Sequence, residues 1–218
     1  MKYIITLALI LTNTLQSSTF SLNKKEVKEI KKIYDNKKIF TRFKRYQKFL
    51  VEAESYDYMK KLNRVNSKIN KILPAYDQQS QNVDDHWLTP KEFMILGKGD
   101  CEDYAIAKYF SLKDLKIDTN KLYMAVVKVK RSSTLHMVTL YFQHENSIPL
   151  VLDNLSWKVL PLNKRKDLKV NFIFNEKNSF LLKDYNKRER VVIDWGKDQK
   201  WKNILNRIYK ENKNNLKY

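Results

Sequence analysis

The sequence predicts an α+β domain in which a set of helices precedes an antiparallel sheet. Apolar residues recur at helical spacing through the first half of the chain, and from Leu122 onward they alternate instead. The alternating runs are joined by short polar connections, which suit hairpins rather than the long crossovers of a parallel sheet.

Residues 23–72 carry three apolar stripes among many lysines: Ile30, Ile33 and Tyr34; Tyr46, Phe49, Leu50 and Ala53; Leu62, Val65, Ile69 and Ile72. Pro74 ends this helical region, and 75–85 is a polar loop rich in Asp, Gln and Asn. A short helix is expected over 88–96, with Thr89 as N-cap, Pro90 at the first helical position and Glu92 three residues after the cap. Gly97-Lys98-Gly99 breaks it, and a second helix starts at Asp100 or Cys101 and runs through Leu112. Strands are then expected over 122–130, 135–143 and 149–154 as a meander, with further strands at 170–174 and 191–193. The tail from Lys200 reads as a basic amphipathic helix.

A chain of 218 residues with 43% hydrophobic content suits one folded domain. Met1-Lys2, the apolar run 3–11 and the small polar run 12–19 form a secretory signal peptide over 1–20, cleaved near 17–21. The mature chain is then a single domain over 21–218. The apolar run is far short of the ~20 residues of a spanning helix, so no stable membrane insertion is expected. The net charge of +19 is mostly dispersed lysine. With no Arg-rich stripe, zinc-ligand spacing or aromatic-glycine motif, it argues against nucleic acid and for an acidic protein partner.

The only cysteine carries the chemistry. In Gly97-Lys98-Gly99-Asp100-Cys101-Glu102-Asp103, the glycines allow a sharp turn and Asp100 caps a helix, so Cys101 falls in its first turn. Unpaired N–H groups there favour a thiolate and offer a donor to an oxyanion. A buried structural thiol is the competing account. Of the three histidines, His136 lies near the start of the second strand, and Asp153 near the end of the third. A hairpin closed around 143–148 sets them opposite one another, the arrangement in which Asp holds an imidazole tautomer. His86 and His144 read as ordinary exposed histidines. Cys101 as nucleophile, His136 as base and Asp153 as orienting acid follow. Trp87 is a candidate second oxyanion donor.

Asp85-His86-Trp87-Leu88-Thr89-Pro90, the run from Gly99 to Phe110, His136-Met137-Val138 and the run from Pro149 to Leu155 resemble the bacterial transglutaminase-like cysteine peptidases, and within them the periplasmic LapG-type adhesin proteases. The likeness covers about 62–174. Tyr46 stands where the family often has a tryptophan. The resemblance implies a papain/transglutaminase-like fold, with N-terminal helices and the nucleophile helix packed on an antiparallel sheet. It maps the Cys-His-Asp triad onto Cys101, His136 and Asp153, and implies calcium held by Asp100 and Glu102, with Asp103 a weaker ligand. It further implies a periplasmic enzyme that cuts a large surface adhesin near its N-terminus, at an Ala-Ala bond, dispersing a biofilm. An inner-membrane cyclic di-GMP receptor, acting through its periplasmic domain, is the implied sequestering partner. A transglutaminase or acyltransferase with the same triad, or a non-catalytic binding protein on this fold, are the alternatives.

Overall fold

Asn23 opens the first helix with a capping box: its side chain accepts the Glu26 N–H, and the Glu26 carboxylate accepts the Asn23 N–H. The computed structural model describes residues 18–75, 86–196 and 199–215. Most of the expected signal peptide and of the polar loop therefore lie outside the described residues. Helices α1 (Lys24–Ile30), α2 (Asn36–Ala53) and α3 (Tyr58–Ile69) come first. The second and third stripes are buried as expected. The first is not: the helix ends at Ile30, and Ile33 and Tyr34 are 47% and 95% exposed in the turn that follows. Helical spacing places residues on one face only while the backbone stays helical.

A two-stranded parallel pair, β1 (Leu73–Pro74) and β2 (Lys98–Gly99), frames α4 (Pro90–Leu96), which has the expected Thr89–Glu92 capping box. Next comes α5 (Cys101–Asp114), buried along most of its length. The sheet follows: β3 (Leu122–Val129), β4 (Leu135–Tyr141), β5 (Leu150–Asp153), β6 (Ser156–Pro161), β7 (Leu168–Phe174), β8 (Ser179–Lys183) and β9 (Lys187–Arg190). Its order is β6-β5-β4-β3-β7-β8-β9, with every neighbouring pair antiparallel. Residues 191–193, expected as a strand, follow β9 as irregular chain. Helix α6 (Lys200–Asn215) closes the fold, burying Trp201, Ile204 and Ile208.

Alternation along β3 and β4 makes two cores. Met124, Val126, Met137 and Tyr141 pack with the helices, while Tyr123, Ala125, Val127, Val138 and Leu140 form a second cluster with Val151, Leu162 and Ile173. Among the described residues, no helix is long and apolar enough to cross a membrane.

The first described residues belong to the core. Ser18 Oγ and the Thr19 N–H each donate to Asp114 Oδ2 at 2.8 Å, and Thr19 Oγ1 donates to Oδ1 at 2.9 Å. Phe20 is fully buried, its ring 4.8 Å from that of Tyr46. Phe20→Ala should therefore cost about 3–5 kcal/mol of stability, read as a lower denaturation midpoint in urea. A change within measurement error would mean that this segment does not pack on α2.

Candidate active site

The turn before Cys101 depends on glycine at two positions. Gly97 ends α4 in the left-handed region, at φ 68°. A Cβ on Gly99 would lie 2.5 Å from Asp103 Oδ2 and 2.7 Å from the Phe93 ring, so only glycine lets the Asp103 carboxylate reach back. That carboxylate accepts the Asp100 N–H at 3.2 Å through Oδ2 and the Leu88 N–H at 2.8 Å through Oδ1. It thus ties the start of α5 to the loop that carries Trp87. Trp87 itself is buried, edge-on to Trp195, and its carbonyl accepts from Arg207. The Ala75 N–H donates to the Gly99 carbonyl at 2.7 Å, and the Tyr104 hydroxyl to the Ile72 carbonyl. Cys101 is held at the first position of its helix, as expected from sequence.

The thiol is free of any disulfide and partly exposed. It donates to Glu102 Oε2 at 3.2 Å and accepts the backbone N–H of Met137, the residue after His136. Burial pushes this thiol well above its ordinary pKa; the Glu102 carboxylate adds to the rise, the Met137 N–H opposes it, and the Asp100 charge raises it further. Burial also raises Glu102 to about 7 and, with the Asp100 charge, Asp103 to about 8. Burial first, and the carboxyl groups crowded at the helix start second, thus disfavour a thiolate here.

His136 and Asp153 meet through their side chains: His136 Nε2 lies 2.8 Å from Asp153 Oδ1, and both residues are buried. The register differs from the expected one. Thr139 pairs with Leu152 and Tyr141 with Leu150, so continuing the ladder puts Asp153 beside Val138, two residues from His136. The two share a face because the offset is even, and they bond diagonally. His86 and His144 are exposed, and His144 lies in the β4–β5 connection.

Sequence reasoning missed what holds Asp153. Its Oδ1 also accepts the Leu155 N–H at 3.0 Å, and its Oδ2 accepts Arg165 Nη2 at 2.7 Å. Asn70, the C-cap of α3, donates to its backbone carbonyl at 2.9 Å. Burial alone would raise the Asp153 carboxyl, but the bond and charge of His136, the Leu155 N–H and Arg165 outweigh it and hold the group well below the usual carboxylate range. Lys108 of α5 is 1% exposed and lowered to about 7 by burial, with Asp153 as the opposing charge. No spacing in the sequence singles out Arg165 or Lys108 from their many basic neighbours.

The donor set suits a hard cation in part. Asp100 and Glu102 offer carboxylate oxygens beside the thiol, the donor type that calcium prefers. Asp103 already uses both oxygens on backbone N–H groups. Among the described residues, no three His, Cys, Asp or Glu side chains are arranged to hold a metal ion by themselves. Further ligands would be carbonyls or water.

The profile of the bacterial transglutaminase-like cysteine proteinases (BTLCP) matches residues 42–167, more than half of the chain. Calcium-bound LapG of Legionella pneumophila superposes with a TM-score of 0.70 at 28% identity, over 84% of this chain and 98% of that one. EGTA-treated LapG of the same organism gives 0.71 at 27% identity, over 88% and 97%. No curated protein sequence gives a significant match.

Proposed function

The chain belongs to the bacterial transglutaminase-like cysteine proteinases, and we propose that within them it is a calcium-dependent periplasmic endopeptidase that frees a large surface adhesin by cutting near the adhesin's N-terminus. The observation that carries this reading is the buried His136–Asp153 pair, which joins β4 to β5 next to Met137, the residue whose N–H acts on the Cys101 thiol. The likeness to LapG over most of both chains supports the substrate class. An Ala-Ala bond as the cut site, biofilm release as the outcome and a cyclic di-GMP receptor as the sequestering partner extend the same analogy. Export requires a leader over the first residues. Because Ser18, Thr19 and Phe20 are built into the core, its removal falls at the early edge of the 17–21 window.

The chemistry follows from the ring. With its Nε2 hydrogen donated to Asp153, His136 presents Nδ1 as the base that takes the thiol proton. The Cys101 thiolate attacks the scissile carbonyl, and the resulting oxyanion accepts from the Cys101 N–H in the first helical turn. His136 returns the proton to the leaving amine, then activates water to hydrolyse the thioester. A calcium ion held by Asp100 and Glu102 would supply positive charge that offsets the repulsion between these carboxylates and the thiolate. With Glu102 engaged as a ligand, the thiol proton is left to His136.

Incubation of purified protein with N-terminal adhesin fragments tests the reading. Cleavage should stop in excess EGTA and return with calcium but not magnesium, whose small octahedral shell fits poorly. Calcium should also raise the melting temperature. Asp100→Ala and Glu102→Ala should mimic chelation. Full activity in EGTA, with a melting temperature indifferent to calcium, would reduce these carboxylates to helix caps.

A further inference from the structure

Asp153 has a second oxygen that His136 does not use, and a residue outside the mechanism holds it. Arg165 sits at the end of a 3-10 turn (Leu162–Lys164) anchored by the buried Leu162 side chain. Its N–H donates to the Leu162 carbonyl at 3.0 Å, and its own carbonyl accepts the Leu168 N–H at 3.1 Å, so its backbone is fixed between β6 and β7. Its side chain is fixed as well. Nε lies 3.0 Å from Asp167 Oδ1 and Nη2 lies 2.7 Å from Asp167 Oδ2, the two-point pairing of guanidinium with carboxylate. The same Nη2 reaches Asp153 Oδ2 at 2.7 Å, with Arg165 7% exposed and Asp153 1% exposed.

We propose that Arg165, steered by Asp167, is a positioning residue of the active site that fixes the plane of the Asp153 carboxylate so that Oδ1 stays on His136 Nε2. The inference rests on the reading of Cys101, His136 and Asp153 as the catalytic group. Arg165 touches no reacting atom and acts through Asp153. Both other side-chain bonds of Asp153 fall on Oδ1, so without Arg165 the carboxylate is free to turn about its Cβ–Cγ bond. Lys108 does not replace it: among the described residues its Nζ has no hydrogen-bond partner, so it acts on Asp153 through space and without direction. Stability alone is a poor reason to bury such a pair, since apolar residues of the same volume commonly do as well. A buried aspartate that must remain an oriented anion is a better one.

The test is NMR of protein carrying 15N-labelled histidine, alongside turnover of adhesin fragments with calcium present. The wild-type His136 ring should be locked with hydrogen on Nε2, in slow exchange with water. Arg165→Met should give mixed tautomers and fast exchange. Its kcat should fall roughly 10- to 100-fold, the span of one charge-assisted bond, with KM unchanged. Arg165→Lys should recover part of both. Asp167→Asn, at a half-exposed position, should loosen the ring in the same direction with its melting temperature preserved, and it decides the matter should Arg165→Met not fold. A ring still locked in Arg165→Met, or in Asp167→Asn should only that variant fold, overturns the proposal. A ring unlocked in Arg165→Met with cleavage unchanged instead sinks the triad reading and leaves the clamp standing.

Discussion

Cys101→Ala and Cys101→Ser should abolish peptide-bond cleavage while leaving the protein folded. Loss of the nucleophile of such a constellation costs on the order of 10⁶ in turnover, with the remainder supplied by binding and oxyanion donors. Serine does not rescue, because its hydroxyl is far less acidic than a thiol and is the weaker nucleophile beside the same base. Folding should survive because Cys101 forms no disulfide and its side chain is partly exposed. The Met137 N–H and Glu102 that bond the sulfur both remain. Turnover of adhesin fragments and thermal melting followed by circular dichroism read the two halves separately. Retained cleavage in Cys101→Ala would move the nucleophile elsewhere.

Asp153→Asn should slow turnover on the order of 10⁴-fold, the effect seen when the orienting aspartate of a Ser-His-Asp triad becomes an amide. An amide can present its NH₂ to Nε2, driving the ring hydrogen to Nδ1, where it blocks the base. This variant should also lose stability, because the buried Arg165 guanidinium then keeps only the Asp167 carboxylate as its anion. Breaking a buried pair from one side costs about 3–5 kcal/mol, and the retained Asp167 pair should hold the loss below that. The wild-type pair has a defined pH range. The Asp153 carboxyl is held below its unfolded value, so its contribution is complete above the ordinary carboxylate range and is lost only as pH falls through the lower folded value. Mild acid should therefore leave this part of the fold intact in the wild type. The stability difference between the wild type and Asp153→Asn should shrink only below that range. Unchanged turnover in Asp153→Asn, with normal melting, would contradict the assigned role.

Much of the site was legible because its signals are local. Glycine, Asp100 and Cys101 specify a turn and a helix start within a few residues, and Thr89, Pro90 and Glu92 do the same for α4. The β3–β4–β5 meander showed in its alternation. What failed depended on distant partners. The β4–β5 register follows the turn that closes the hairpin: the Ser147 N–H donates to the His144 carbonyl, which centres the turn between Glu145 and Asn146, one residue beyond the expected centre, and so shifts the ladder by two residues. Strand β9, Lys187–Arg190, was missed because an all-charged run along a sheet edge reads as loop, and β8, Ser179–Lys183, because its short apolar run does not alternate. Strand β6 exposes Trp157 at 61% and so lacks a clean apolar face. Arg165 lies 12 residues from Asp153, and only the folded β6–β7 connection brings them together.

Whether Cys101 acts as a peptidase nucleophile is read by intact-mass spectrometry of an adhesin fragment after incubation with calcium-loaded protein. Two products whose masses sum to that of the substrate plus one water are expected, formed by the wild type and absent with Cys101→Ala. Joined products that have lost ammonia would instead identify a transglutaminase, and a substrate left whole by the wild type would contradict the peptidase altogether.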